Sequence, residues 1–112
     1  MIATIDLGSA ESIQTVEVNF LQDQRSWIFY PTEVECYVAV DDTFRKISPT
    51  YKIDSQQASS ETKIKTVHFK IEETTSRYVK IIAKTLGDLP EWHLGAPYQG
   101  KAWVFVDEII VK

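Results

Sequence analysis

Thr66-Val67-His68-Phe69-Lys70-Ile71, followed after a short polar break by Tyr78-Val79-Lys80-Ile81-Ile82-Ala83-Lys84, decides the fold class. Val67, Phe69 and Ile71 alternate with Thr66, His68 and Lys70. Val79, Ile81 and Ala83 alternate in the same way with Tyr78, Lys80 and Lys84. A period of two turns one apolar face inward and one polar face out. That is the mark of antiparallel strands lying on a core. The pattern extends outward from here: Val16, Val18 and Phe20 alternate with Thr15, Glu17 and Asn19, and Val34, Cys36, Val38 and Val40 with Glu33, Glu35, Tyr37 and Ala39.

The flanks supply the remaining strands. Met1-Ile2-Ala3-Thr4-Ile5-Asp6-Leu7-Gly8 reads as a strand, with a tight connection over residues 7–12 leading to the next. Residues 102–111 are apolar on both faces apart from Asp107 and Glu108, which predicts a central strand covered on both sides, with Trp103 in the core. No segment sustains a capped 3.6-residue pattern, so little helix is expected. Asp41-Asp42-Thr43-Phe44 reads as a hairpin-type turn, and residues 54–62, rich in Ser and Gln, as a polar and mobile loop. Two connections, 21–31 and 86–101, each carry a Trp and exceed ordinary hairpin length. Short strands with long end loops predict an all-β antiparallel sandwich or jelly roll.

Composition narrows the function classes. The chain has 112 residues, enough for one domain spanning 1–112. It is 44% hydrophobic and 25% charged, ordinary for a globular protein. With a net charge of −4 and no basic cluster, nucleic acid and anionic membrane are poor partners. No apolar run approaches the roughly 20 residues a spanning helix needs. Cys36 is the only cysteine, which excludes an internal disulfide and paired-cysteine metal sites. On the apolar side of its strand it is expected to be a small core residue. The first residues lack a charged segment of the signal-peptide kind, and the chain is expected to be a fragment of a larger protein.

Several strings occur in a familiar order: Ala3-Thr4-Ile5-Asp6-Leu7-Gly8, Ile13-Gln14-Thr15-Val16-Glu17-Val18, Pro31-Thr32-Glu33-Val34-Glu35, Ser76-Arg77-Tyr78-Val79-Lys80-Ile81 and Asp107-Glu108-Ile109-Ile110-Val111. Together they resemble factor 5/8 type C (discoidin) domains, galactose-binding-like jelly rolls that include family 32 carbohydrate-binding modules. Phe20-Leu21-Gln22-Asp23-Gln24-Arg25-Ser26-Trp27-Ile28-Phe29, and the string from Glu91-Trp92-His93 to Glu108, are similar to accessory domains near the C-termini of family 20 β-hexosaminidases (chitobiase-like enzymes) of Bacteroidetes. The resemblance implies a periplasmic or extracellular parent with a covalently linked catalytic domain. It also implies that about thirty family residues, including a first strand and a calcium-binding loop, have no counterpart here. Glu108 matches the family's acidic residue at that calcium site. A single carboxylate cannot supply six to eight oxygens, so the expectation is no cofactor and no tightly held metal, with calcium reserved for an intact domain.

The candidate site lies on the two Trp-bearing loops. A sugar offers an apolar C–H face and a rim of hydroxyls, so a site needs a flat aromatic and several polar groups. Trp92 supplies a platform, with His93 and Glu91 as directional hydrogen-bonding groups and Tyr98 as a second aromatic. From the other loop, Gln22, Gln24, Arg25 and Trp27 are candidates, Arg25 as a fork of donors to neighbouring hydroxyls. The competing reading has Trp92 plugging the end of the sandwich, His93 capping loop carbonyls, and Trp27 in the core. His68 is expected to be solvated. No nucleophile elbow, phosphate loop or dinucleotide fingerprint is present, and adjacent carboxylates such as Asp107 and Glu108 cannot flank a glycosidic bond from one strand. The sequence therefore predicts a non-catalytic glycan-binding module. The alternative is a structural domain packed on its catalytic neighbour without binding sugar.

Overall fold

The computed structural model describes residues 1–54 and 56–112. Six strands follow in order: β1 (Ile2–Gln22), β2 (Glu33–Ala39), β3 (Arg45–Lys46), β4 (Tyr51–Lys52), β5 (Lys63–Lys84) and β6 (Val106–Val111). All pairings between them are antiparallel, in the order β3-β2-β5-β1-β6 with β4 also on β2.

The frame is a ribbon of two long strands, β1 and β5, paired from Ile2↔Ile82 to Gln22↔Lys63. The register shifts twice, between Asp6 and Glu11 and between Ile13 and Thr15. Unequal residue counts on paired strands bend a ladder, so the ribbon turns a corner and its ends belong to different halves. In one half β2 joins the end of β5 around Val79 and Ile81; in the other β6 joins the end of β1 around Val18. Val16, Val18, Phe20, Val67 and Phe69 of the second half share one buried cluster with Val34, Cys36, Val38, Val79, Ile81 and Ala83 of the first. With no α-helix among the described residues to cover either face, the halves must lie on one another, which gives a sandwich-like arrangement.

The period-two residues expected inside are inside, except that Ile71 is half-buried and Val40 lies beyond β2, exposed. Three expectations need correction. Residues 7–12 do not reverse the chain; they are the bend of one continuous strand. The ladder is interrupted at the corner, where residues 7–10 have no partner on β5, and Asp6 clamps it. The Asp6 carboxylate accepts from Arg77 Nε at 2.9 Å and Nη2 at 3.1 Å, and from the Gly8 N–H at 2.9 Å.

The closing strand is an edge, not a centre. β6 pairs with β1 alone, and Trp103 (67% exposed) and Phe105 (48%) face outward. Apolar residues on both faces report what covers the faces; they say nothing about whether an edge is paired.

The Asp41–Phe44 stretch does join β2 to β3, with Asp41 Oδ1 accepting from the Thr43 N–H at 2.8 Å. In the polar loop 54–62, Gln56, Gln57 and Ser59 hydrogen-bond to neighbouring segments. Gln56 exchanges two hydrogen bonds with the Tyr30 backbone, at 2.9 and 2.7 Å. Ser55 of that loop lies outside the described residues.

Candidate functional site

Three loops meet at one end of the sandwich. The first is closed by reciprocal Asp23–Ile28 backbone bonds at 3.0 Å around the 3-10 turn Gln24–Ser26. Trp27 ends that turn with φ 64°, a left-handed conformation uncommon for an aromatic residue. It is held there by its carbonyl, which accepts from the Trp103 N–H at 2.8 Å. The second loop, 86–101, is an irregular hairpin. Ala102 N–H donates to Gly87 O (2.7 Å) and Leu89 N–H to Gly100 O (3.1 Å), while a 3-10 turn, Ala96–Tyr98, shapes the tip. The third is 56–60, whose Gln57 carbonyl and Ser59 N–H each bond the Gln24 side-chain amide at 2.8 Å.

Beneath them sits a second, smaller core of Phe29, Leu89 and Ala102, with Trp27, Leu86 and Ala96 packed on it. Glycine is required where the backbone passes Trp27. A Cβ on Gly95 would lie 2.8 Å from the indole, and one on Gly100 2.9 Å, each also 2.6 Å from Leu89.

His93 locks the loops together. Its Nδ1 accepts from the Gly95 N–H at 2.9 Å, so the ring proton is on Nε2, which donates to the Gln24 carbonyl at 2.6 Å. The ring stands edge-on to Trp27 (6.3 Å) and Phe29 (5.6 Å). Both nitrogens are therefore spent on the fold, and what His93 leaves to the cleft is ring surface.

Above this brace opens a cleft of about 620 Å³. Trp27, Trp92, Tyr98 and Leu94 give it apolar walls, and Gln24, Arg25, Ser59 and Ser60 a polar rim. Trp92, tilted against Phe29 at 6.1 Å, keeps 47% of its surface exposed; Tyr98 keeps 81% and Leu94 89%. Trp27 serves both readings, half-buried on the small core and lining the cleft.

Six of the sequence candidates gather at this cleft: Gln24, Arg25, Trp27, Trp92, His93 and Tyr98. Two do not. Gln22 is 5% exposed and points into a neighbouring hollow, and Glu91 lies beside Asp88 and Lys101 on another side of the loop. The sequence reading missed Ser59, Ser60 and Leu94. The serines lie in a polar loop distant in sequence, and only the Gln24 amide reveals where that loop docks.

Glu108 is exposed on β6 opposite Asn19. Among the described residues no group of three or more His, Cys, Asp or Glu gathers there or elsewhere. Those residues do not fit a calcium ion, which takes six to eight oxygens. His68 is largely exposed, 3.6 Å from Glu17. Compared with known proteins, the chain matches no family model and no curated protein.

Proposed function

We propose that the chain is a non-catalytic carbohydrate-binding module, a galactose-binding-like jelly roll. In this reading it serves as the accessory domain of a periplasmic or extracellular glycoside hydrolase of the β-hexosaminidase type. The observation that carries the reading is the end cleft, where exposed Trp92 and Tyr98 lie beside Arg25, Ser59 and Ser60. A flat aromatic takes the C–H face of a hexose or N-acetylhexosamine, and the guanidinium and hydroxyls take its rim. The ordered strings that resemble discoidin-type domains support the same reading.

The expected affinity is low. One aromatic platform adds about 1 kcal/mol beyond burial, and each net hydrogen bond about 1 kcal/mol. A ring and three or four bonds give about 4–5 kcal/mol, a Kd on the order of 1 mM. Tethering to a catalytic domain makes such affinity useful by raising effective concentration.

The test is a nitrogen-15 NMR titration with N-acetylglucosamine, galactose and chitobiose. Saturable shifts at residues 24–27, 59–60 and 92–98, lost in Trp92→Ala, are expected. No shift at roughly tens of millimolar sugar would overturn it.

A second reading has its own observation. On the outer face, Leu21 pairs with Ile64 of β5 and donates its N–H to the Phe105 carbonyl at 3.0 Å. Ile64 and Phe105, with Trp103 further along the chain, are about half or more exposed. Exposed apolar rows of this kind mark contact surfaces, and the open edge of β6 adjoins this one. A structural domain that packs on its catalytic neighbour through this face would bind no sugar. In that case Phe105→Ser abolishes association with the neighbour while Trp92→Ala does not.

A further inference from the structure

Beside the aromatic cleft lies a second hollow of about 490 Å³, lined by Gln22, Tyr30, Tyr51, Lys52, Lys63 and Lys65 among others. Its chemistry is written into the inner face of the sheet. Along β1 the inward positions Val16, Val18 and Phe20 are followed by Gln22; along β5, reading back from Phe69 and Val67, they are followed by Lys65 and Lys63. The register sets Lys65 opposite Phe20 and Lys63 opposite Gln22. Over two residue pairs the interior changes from hydrocarbon to ammonium and amide groups. Turning lysines toward a core is costly unless the charge is solvated or paired.

Pairing is sparse. Lys65 is half-buried, with Nζ 6.0 Å from the centre of the Tyr30 ring, and no carboxylate among the described residues is within ion-pair distance. Lys63 reaches Glu61 at 3.3 Å in a largely exposed pair, a weak arrangement that a ligand can displace. Asp54 is the only carboxylate among the described residues that line the hollow.

Gln22 is the sharpest sign. Gln24 and Gln56 each spend both ends of their amides on backbone groups. Gln22, only 5% exposed, lines the hollow and has no side-chain hydrogen bond to another described residue. Ser76 Oγ is the one fully buried side-chain polar atom without a partner among the described residues, so the Gln22 amide keeps its contact with solvent through the hollow and is open to a ligand there. Burial also raises the Tyr30 phenol above its ordinary 10, with Lys63 opposing, so its O–H stays a donor at neutral pH. In a chain of net charge −4, this hollow presents mostly donors and positive charge.

Ala58 and Ser59 line both this hollow and the aromatic cleft, so a single wall separates them. We propose that the hollow binds the acidic group, carboxylate or sulfate, of a saccharide whose neighbouring ring lies in the aromatic cleft. The link to the cleft rests on the sugar-binding reading above; the preference for an anion does not.

The experiment compares glucuronic acid and N-acetylglucosamine 6-sulfate with glucose, N-acetylglucosamine and inorganic sulfate, by NMR at low salt. Expected are shifts at Gln22, Tyr30, Lys63 and Lys65 with the acidic sugars alone, and binding about tenfold tighter than their neutral counterparts. That gain should vanish in Lys65→Met, which keeps the side-chain stem, in Lys63→Ala, and at about 0.5 M salt. Unchanged melting temperatures confirm that the variants fold. Equal binding of acidic and neutral sugars, with shifts confined to the cleft, would overturn the anion subsite and leave sugar binding intact. Inorganic sulfate binding as tightly as the sugar acids would overturn the saccharide assignment. Shifts at the hollow with acidic sugars, but none at the cleft with any sugar, would keep the anion site and sink the glycan cleft.

Discussion

The sandwich interior and the small core under the end loops are both buried, but different means build them. In the first, Val16, Val18, Phe20, Val67, Phe69, Val79 and Ile81 are delivered by strand alternation and held by continuous ladders. In the second, Phe29, Leu89 and Ala102 come from three separate segments, held by single contacts: a left-handed Trp27, two glycines with no room for a Cβ, and one histidine bridging two loops. A ladder spreads its load over many residues, whereas single contacts do not. The interior should therefore fail globally, and the end loops locally, as separate units of opening.

The largest test of this contrast is Phe20→Ala. Phe20 is fully buried between the halves, and truncating such a ring costs about 3–5 kcal/mol. Against a typical total of about 5–15 kcal/mol, the whole protein should lose stability. Urea unfolding should shift its midpoint for every probe together. If loop amides became exposed while amides of β1 and β5 stayed protected from exchange, the two regions would not differ as described.

Gly100→Ala comes next. The new methyl meets Leu89 at 2.6 Å and the Trp27 ring at 2.9 Å, and overpacking of this kind costs about 1–3 kcal/mol. Its effect should stay local: altered Trp27 fluorescence and faster exchange over 86–101, with strand amides unchanged. A fully cooperative loss of both regions would merge them into one unit.

The same contrast explains what could be read from the sequence. The interior was legible because period two reports which face is covered, one residue at a time. The corner at 7–12 was not, since Gly8 and its small neighbours suit a reversal and a bulge equally. The position of β6 was not, because side chains do not record edge pairing. At the site, Trp92 and Tyr98 stood out as aromatics on a loop, and Arg25 and Trp27 as candidates on the other Trp-bearing connection. The role of His93 was legible only as the competing reading, in which it caps a loop carbonyl; the second bond, from the Gly95 N–H to its ring, depends on a turn that no motif encodes. The docking of Ser59 was not legible, since it depends on an amide 35 residues away.

A smaller effect reads the interior alone. Burial pushes the Cys36 thiol from its ordinary 9.0 up to about 12. The folded state therefore keeps a proton that the unfolded state gives up above pH 9. Stability present below that pH declines as pH rises toward about 12, with a limiting slope of about 1.4 kcal/mol per pH unit. Cys36→Ala should lower stability at neutral pH but lack this part of the alkaline decline, so the two unfolding curves converge between pH 9 and 12. Thiol reagents should label Cys36 only as fast as the protein unfolds. Rapid labelling of the native protein would show that the interior also opens locally.

The smallest effect belongs to the corner between the halves. Asp6 has its carboxyl held below the usual 3.8, chiefly by hydrogen bonds from Arg77 and then by the Gly8 N–H. The group is exposed, so the stabilisation is modest and screened by salt. Its sign is fixed: a lowered folded value gives stability that is present above about pH 3.8 and lost as pH falls through the folded value. Asp6→Asn should lower the melting temperature slightly at pH 7 and not at all once pH has fallen below the folded value, where the native carboxyl is also neutral. High salt should narrow the difference at pH 7. Because the clamp lies at the bend of β1 and touches neither loop, the substitution should leave exchange over 86–101 unchanged. Loosened end loops in that variant would mean that the corner and the site are coupled through the ribbon, and that the loops answer to more than their own contacts.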